Sequence, residues 1–432
     1  MATPLHQART TAEQYALVSP TLAAVVGSIV ATLAFWLVVR PSFLSVTPEH
    51  FASLNTDYVG QVSALTGGHV GFNVRYPPGF PLLLAGVYHS ARFLHLPLGV
   101  GVTVFVLTCR GLECTLVYRL ARMAWDTGPA LVATLLWATY LLPLWLTTYP
   151  SPETPFIPAL IGGVLVYWRA IQARRHARML LFGAGVLVGI AMLIRPIALG
   201  LGGLLALLLW FFLRDVARGR RLALGALLVA GNLLAVLPWE IWAYQHVGRV
   251  IPLSTGGVPS MVDGLTYAVD PQDHRHVHVP ADVEALQREI LARQDVLRTQ
   301  SFGTVMSYLR EELARRPAAM AKFVALKAAS SWYATDSSRY DRFVLLVQAI
   351  YLPIILIGTW SAWRRGGWTR RFAILAWGTA LWFWAMTILV LSIARYMTPA
   401  LGLLFALVPG ALVDVRRLNL RFRRRALVTT AD

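Results

Sequence analysis

Apolar runs close to twenty residues long recur along almost the whole chain, at about 21–39, 98–118, 129–147, 154–170, 179–198, 200–213, 222–243, 343–362, 372–393 and 397–414. An α-helix needs roughly 20 such residues to cross the hydrocarbon of a bilayer. It also satisfies its own backbone hydrogen bonds where lipid offers none, and the alternating short strands of a membrane barrel are absent. The sequence therefore predicts an all-α polytopic membrane protein with about ten transmembrane helices. Composition closes off a water-soluble alternative, since 56% of the 432 residues are hydrophobic and only 14% are charged.

The net charge of +18 would suit a nucleic-acid partner if it lay on one soluble face. Instead the arginines occupy short loops at alternate ends of the runs: Arg119 and Arg122; Arg174, Arg175 and Arg178; Arg214, Arg218, Arg220 and Arg221; Arg364, Arg365, Arg370 and Arg371; and a tail from Arg416 to Arg425. That asymmetry is the positive-inside pattern, which predicts cytoplasmic termini and no nucleic-acid partner. It holds only if Pro77 to Leu96 is not counted as a span, so this stretch is expected to be a helix lying in or dipping into the outer interface. The polar start, Met1 to Ser19, carries no cleavage site ahead of the first run, which is read as a retained anchor. Cys109 and Cys114 share one apolar segment and, five apart on a helix, point in different directions and do not pair.

Three regions are predicted. Residues 1–244 form an N-terminal transmembrane catalytic module with a first outer loop at 40–97. Residues 245–341 form an extracytoplasmic, mostly helical segment with nearly balanced charge, and 342–432 hold the last spans and a basic cytoplasmic tail. Within the middle region, Val283–Leu297 and Val305–Leu326 place apolar residues at helical spacing, with Pro317 interrupting the second.

With this topology the polar exceptions gather at one face: Asp57, Arg75, Glu153, Arg195, Glu240 and Arg395. An ionised carboxylate such as Asp57 beside a lipid interface is costly without water, a cation or a substrate partner. An ordinary solvated loop aspartate is the bland alternative. The turn Arg75-Tyr76-Pro77-Pro78-Gly79-Phe80-Pro81 is stiffened by prolines and holds Arg75 and Tyr76 at a fixed place. Glu153 opens a helix, where a carboxylate either complements the helix dipole or meets a substrate. Arg195, followed by Pro196, interrupts an apolar run near its end, and an intramembrane arginine is a functional candidate with a phosphate as natural partner. Glu240 and Arg395-Tyr396 sit at the ends of their spans, facing the same side. Arg110 and Glu113, three apart within one span, are expected to neutralise each other structurally. The run His274-Arg275-His276-Val277-His278 lacks further ligands at a recognisable spacing and reads as a solvated loop rather than a metal site.

Taken in order, Asp57-Tyr58, Arg75 to Pro81, the Glu153 turn, Gly185 to Pro196, Leu237-Pro238-Trp239, Val250 to Gly257 and Arg395-Tyr396 resemble the glycosyltransferase C superfamily. The resemblance is to bacterial relatives of dolichyl-phosphate-mannose protein mannosyltransferase and lipid A aminoarabinose transferase. It implies a monosaccharide, hexosyl or pentosyl, carried on a polyprenyl-phosphate donor. It implies transfer with inversion to a hydroxyl on a glycan, lipid or protein acceptor, with Asp57 as general base. Arg195 and Arg395, then Arg75, are the implied partners of the donor phosphate. Tyr58, Tyr76, Glu153, Glu240 and Tyr396 would line the substrate cavity. Many relatives carry a second acid beside the first, whereas Asp57 stands between Thr56 and Tyr58. No metal ligand is assigned, and a divalent cation stays open as a cofactor, with Glu49, His50 and His69 near Asp57 in sequence.

The expected setting is a bacterial plasma membrane, with membrane lipids as partners and the active site on the extracytoplasmic side. A transporter or flippase for a lipid-linked sugar is the rival, and it predicts broken helices at the bilayer midplane and often an internal repeat, which this sequence lacks.

Overall fold

The computed structural model describes residues 4–67, 73–173, 176–271 and 278–414. Along the first part run α1 (Pro4–Val39), α2 (Pro48–Phe51), α3 (Val59–Leu65), α4 (Gly79–Phe93), α5 (Leu98–Arg122), α6 (Thr127–Ala138), α7 (Leu141–Trp145), α8 (Glu153–Gln172), α9 (Ala177–Ile194), α10 (Leu201–Phe212) and α11 (Arg218–Val247). Then come α12 (Gly257–Thr266), α13 (Ala281–Leu291), α14 (Gln294–Thr299), α15 (Phe302–Arg315) and α16 (Pro317–Ser330). Three helices close the chain: α17 (Asp341–Arg365), α18 (Gly367–Leu389) and α19 (Ala394–Phe405). Among the described residues there is no strand, so the protein is an all-α polytopic membrane protein.

Among the described residues eight helices are long and apolar enough to cross a membrane, and Thr127–Ala138 and Pro196–Phe212 are shorter apolar helices at the two other places where the sequence predicts spans. The first of these is shortened by Pro143. It has no N–H for the Thr139 carbonyl and its ring crowds that oxygen, so the helix stops at Ala138 and restarts as α7. The Pro77–Leu96 run folds as α4, a 15-residue helix too short to span, which packs its buried face of Phe80, Leu84, Tyr88 and Ala91 against α3 and α5.

Two cores result. The larger one fills the bundle, and the smaller one joins Met261 and Leu265 of α12 to Leu286 and Ile290 of α13, Val305 of α15 and Phe323 of α16. In the smaller unit the sequence-predicted amphipathic stretches are split at Ala292–Arg293 and at Arg316, where Pro317 takes the first position of α16. A buried cation ties this unit to the bundle, because Lys327 of α16 donates to the carbonyls of Gly264 at 2.7 Å and Val390 at 3.0 Å. Gly264 is there because nothing larger fits, since a Cβ on it would lie 1.7 Å from the Val390 oxygen. Gly264→Ala should therefore cost about 1–3 kcal/mol by overpacking. A lowered thermal midpoint in detergent checks this, and an unchanged midpoint would show that α12 is free to shift.

The Arg110–Glu113 pair is fully buried in α5 at 2.7 Å, with Trp137 Nε1 donating to the same Glu113 oxygen at 2.6 Å and Arg110 donating to the Ala138 carbonyl at 3.1 Å. Each charge has a partner, as the sequence spacing predicts, and the pair clamps α5 to α6. Cys109 and Cys114 are free and buried. His274 and His276 lie outside the described residues.

Candidate active site

The site is built where helix ends meet. Pro196 forbids the α region to the residue before it, so α9 ends at Ile194 and Arg195 turns extended at φ −143°, ψ 123°. Its guanidinium leaves the helix and forms an ion pair with Glu153, the first residue of α8. Arg395, in the first turn of α19, brings Nε within 2.9 Å of the same Glu153 oxygen, a charge contact whose N–H is not aligned as a hydrogen bond. One carboxylate oxygen thus serves two arginines. The other oxygen, Oε2, is buried without a hydrogen-bond partner.

Around this centre the remaining groups take two sides. On one side the Tyr396 ring lies under both guanidiniums, 4.6 Å from Arg195 and 5.5 Å from Arg395. Tyr58 is nearly fully buried there, tilted against Tyr76 at 4.7 Å and edge-on to Phe80 at 5.0 Å. Burial pushes the Tyr58 hydroxyl well up from its ordinary range, against the pull of the Arg195 charge. Burial likewise raises Tyr76, and Asp57, within hydrogen-bonding reach of its hydroxyl, adds to the effect. Both phenols are neutral donors at physiological pH. On the other side Arg395 Nη1 is 3.4 Å from the Tyr149 hydroxyl and 3.5 Å from Asp336.

Asp57 itself is exposed, on a single turn at Thr56–Tyr58 that Asn55 caps. The Asn55 side chain accepts from the Asp57 N–H at 3.2 Å and donates to the Pro150 carbonyl at 3.0 Å, so the acid's turn is fastened to the turn that carries Glu153. Gln61, buried on α3, donates to the carbonyls of Asn73 at 2.7 Å and Tyr76 at 2.8 Å and fixes the proline turn beside it. That turn is held from two further directions. Gly79 sits so close to the end of α9 that a Cβ would lie 2.6 Å from the Leu193 oxygen. Thr255 and Gly256 N–H groups donate to the carbonyls of Val74 at 2.9 Å and Arg75 at 3.0 Å. Arg75 is exposed, with its guanidinium 5.6 Å from the Tyr76 ring, and makes no ion pair among the described residues.

Of the residues singled out in the sequence, Asp57, Tyr58, Tyr76, Glu153, Arg195, Arg395 and Tyr396 come together, with Arg75 at the rim. Glu240 takes a different place: it accepts from the Leu253 N–H at 2.7 Å while Trp239 Nε1 donates to the Leu253 carbonyl at 2.7 Å, and no described contact joins it to the Glu153 cluster. It anchors the loop whose next residues grip Arg75. Asn55, Gln61, Tyr149 and Asp336 belong to the site's frame without a sequence signal. Only Asn55, two before the candidate acid, fits a recognisable capping pattern. Among the described residues no three His, Cys, Asp or Glu side chains group as metal ligands. Glu49 and His50 lie on the separate turn of α2, and His69 is outside the described residues.

Residues 76–242 match the family model of dolichyl-phosphate-mannose-protein mannosyltransferase. The archaeal oligosaccharyltransferase AglB from Archaeoglobus fulgidus, solved with an inhibitory peptide and a dolichol-phosphate, is similar over 97% of this chain and 52% of its own, with a TM-score of 0.51 at 14% identity. The chain shares the fold of that oligosaccharyltransferase. The apo structure of the Archaeoglobus fulgidus oligosaccharyltransferase is similar too, with a TM-score of 0.50 at 13% identity over 94% of this chain and 52% of that one. ArnT from Cupriavidus metallidurans bound to undecaprenyl phosphate is 16% identical, covering 89% of this chain and 77% of its own at a TM-score of 0.38. The chain spans about half the length of the oligosaccharyltransferases it matches. No curated protein sequence matches it. The family match begins at Tyr76 and ends at Trp242, so it takes in Glu153 and Arg195 and leaves Asp57 and Arg395 outside.

Proposed function

We propose that the protein is a membrane glycosyltransferase that moves a monosaccharide from a polyprenyl-phosphate donor to an acceptor hydroxyl at the outer face of the membrane, with inversion and with Asp57 as general base. The observation that carries this reading is the joining of Asp57 to a compact set of cationic and phenolic groups drawn from five separate chain regions, in a chain whose fold is that of the GT-C glycosyltransferases. Asp57 is exposed and free of ion pairs among the described residues, so its lone pairs are available to a hydroxyl proton. As the acceptor oxygen attacks the anomeric carbon, that proton passes to Asp57, the new glycosidic bond forms, and the bond from the anomeric carbon to the phosphate oxygen breaks. The electron pair leaves on polyprenyl phosphate, whose growing charge requires a fixed cation.

Charge compensation ranks the cations for that task. Arg395 faces two carboxylates, Glu153 and Asp336, and Arg195 shares Glu153 with it, whereas Arg75 faces none among the described residues. Arg75 is therefore the cation with its full charge free for the donor phosphate, beside Tyr76 and Asp57, and Arg195 supports it from its place over the Tyr396 ring. Part-exposed Tyr76 and Tyr396 wall the sugar's place, and buried Tyr58 backs the Tyr76 ring.

Incubating the purified protein with a panel of polyprenyl-phosphate sugars and membrane extract should release polyprenyl phosphate and yield a new glycoside from one of them. A lipid-linked sugar that crosses a vesicle bilayer intact, without release of the carrier phosphate, would instead identify a flippase.

A further inference from the structure

A cavity of about 500 Å³ opens on the Arg395 side of the Glu153 centre, within the usual range of small-molecule sites. Its walls are apolar, made by Phe35 of α1, Leu141, Leu142 and Trp145 of α7, and Phe343 and Val344 of α17. Both α1 and α17 are candidate spans, and Phe343 remains half exposed on the face of α17 that also carries exposed Leu346 and Ile350. An apolar chain can thus enter from the bilayer without crossing water. The polar end of the cavity is formed by Tyr149, Asp336 and Arg395.

The charges at that end select the head of the ligand. Arg395 is matched by Glu153 at 2.9 Å and by Asp336 at 3.5 Å, and Asp336 is more than half exposed toward any entering group. A phosphate there would meet an acid and an arginine already satisfied twice. An uncharged hydroxyl meets donors in Arg395 and Tyr149 and an acceptor in Asp336. The Asp336 turn is held rigid by its neighbour, since the Thr335 N–H and hydroxyl both donate to Asp341 at 2.7 Å. The mouth also lies next to the acid: Tyr149 precedes Pro150, whose carbonyl takes the Asn55 amide that caps the Asp57 turn.

We propose that the acceptor is a lipid, with its apolar chain in this cavity and an uncharged hydroxylated headgroup at Arg395, Asp336 and Tyr149, on the opposite side of Glu153 from the donor phosphate at Arg75. The assignment rests on the transferase reading, and the test separates the two. A dodecyl glucoside bearing a diazirine at the chain end is photolysed with the full-length protein in phosphatidylcholine nanodiscs, and labelled peptides are mapped. Label is expected in 141–146 and 343–344 and should survive saturating polyprenyl phosphate. Leu141→Trp and Phe343→Trp, which fill the cavity from two different helices, should each cut labelling by about tenfold or more, the loss expected when a side chain's worth of apolar burial is denied to the ligand. Affinity across a series of alkyl chain lengths should rise about fourfold per added methylene until the cavity is full. Label elsewhere, or displacement by polyprenyl phosphate, would overturn the assignment, the latter giving the cavity to the donor chain. Labelling with no release of polyprenyl phosphate from any donor would sink the transferase reading and the acceptor role together, whereas release without cavity labelling would sink the acceptor site alone.

Discussion

Asp57→Asn should lower transfer from a polyprenyl-phosphate donor by about 10²–10⁴-fold, the usual worth of a general base, while leaving the fold unchanged. The side chain keeps its shape and loses only the capacity to take a proton. Its surroundings predict little structural cost: Asp57 is exposed, makes no ion pair among the described residues, and is held by its backbone N–H to Asn55 rather than by its carboxylate. Tyr76 retains an amide oxygen within reach of its hydroxyl, so the aromatic wall stays in place. The measurement is polyprenyl phosphate released per minute by the purified variant, set beside its thermal midpoint and its affinity for the donor. Transfer near the wild-type rate would end the assignment of Asp57 as base.

The second large effect concerns the shared counter-ion. Glu153→Gln removes the charge that two arginines divide, leaving a buried guanidinium at Arg195 and a part-buried one at Arg395 held by one peripheral acid. Breaking a buried pair by deleting one partner typically costs about 3–5 kcal/mol, because the remaining charge stays desolvated. The thermal midpoint in detergent should fall accordingly. Addition of polyprenyl phosphate should raise that midpoint more in the variant than in the wild type, since an anion can supply the missing charge. An unchanged midpoint would show that the arginines relax to water, and equal stabilisation by the lipid phosphate in both proteins would remove Arg195 from the donor's surroundings.

These two residues also show how differently the site can be read from the chain. Asp57 stands out by its place in a polar loop after the first apolar run and by the ordered motifs that resemble the glycosyltransferase C superfamily, and its candidacy needs no coordinates. Glu153 at a helix start has an ordinary explanation in the helix dipole, and nothing local distinguishes that from a role in a cluster. Only the fold reveals that it is the point where Arg195 and Arg395, 200 residues apart, converge. Glu240 is the converse. Its place at a span end groups it with the other acids, yet its carboxylate is committed to the Leu253 N–H. Position along a helix tells which end a side chain occupies, while its rotation about the helix axis depends on what packs around it.

What the sequence by itself determined was the all-α membrane fold, because the length of each apolar run, the interruption at Arg195-Pro196 and the arginines in short loops are all local properties of the chain, whereas the break of the 129–147 run after Ala138 was not read from it. That the Pro77 to Leu96 run is a helix but not a span followed from charge counting before any packing was known, and it folds over Gly79–Phe93. What only the tertiary structure decided was the division of labour among the charges: Arg75 without an ion pair among the described residues, Arg395 matched by Asp336, and an apolar cavity behind it. The physical reason is that compensation and enclosure depend on distances between residues far apart in the chain. A sequence pattern carries the periodicity of one helix and not the register of one helix against another.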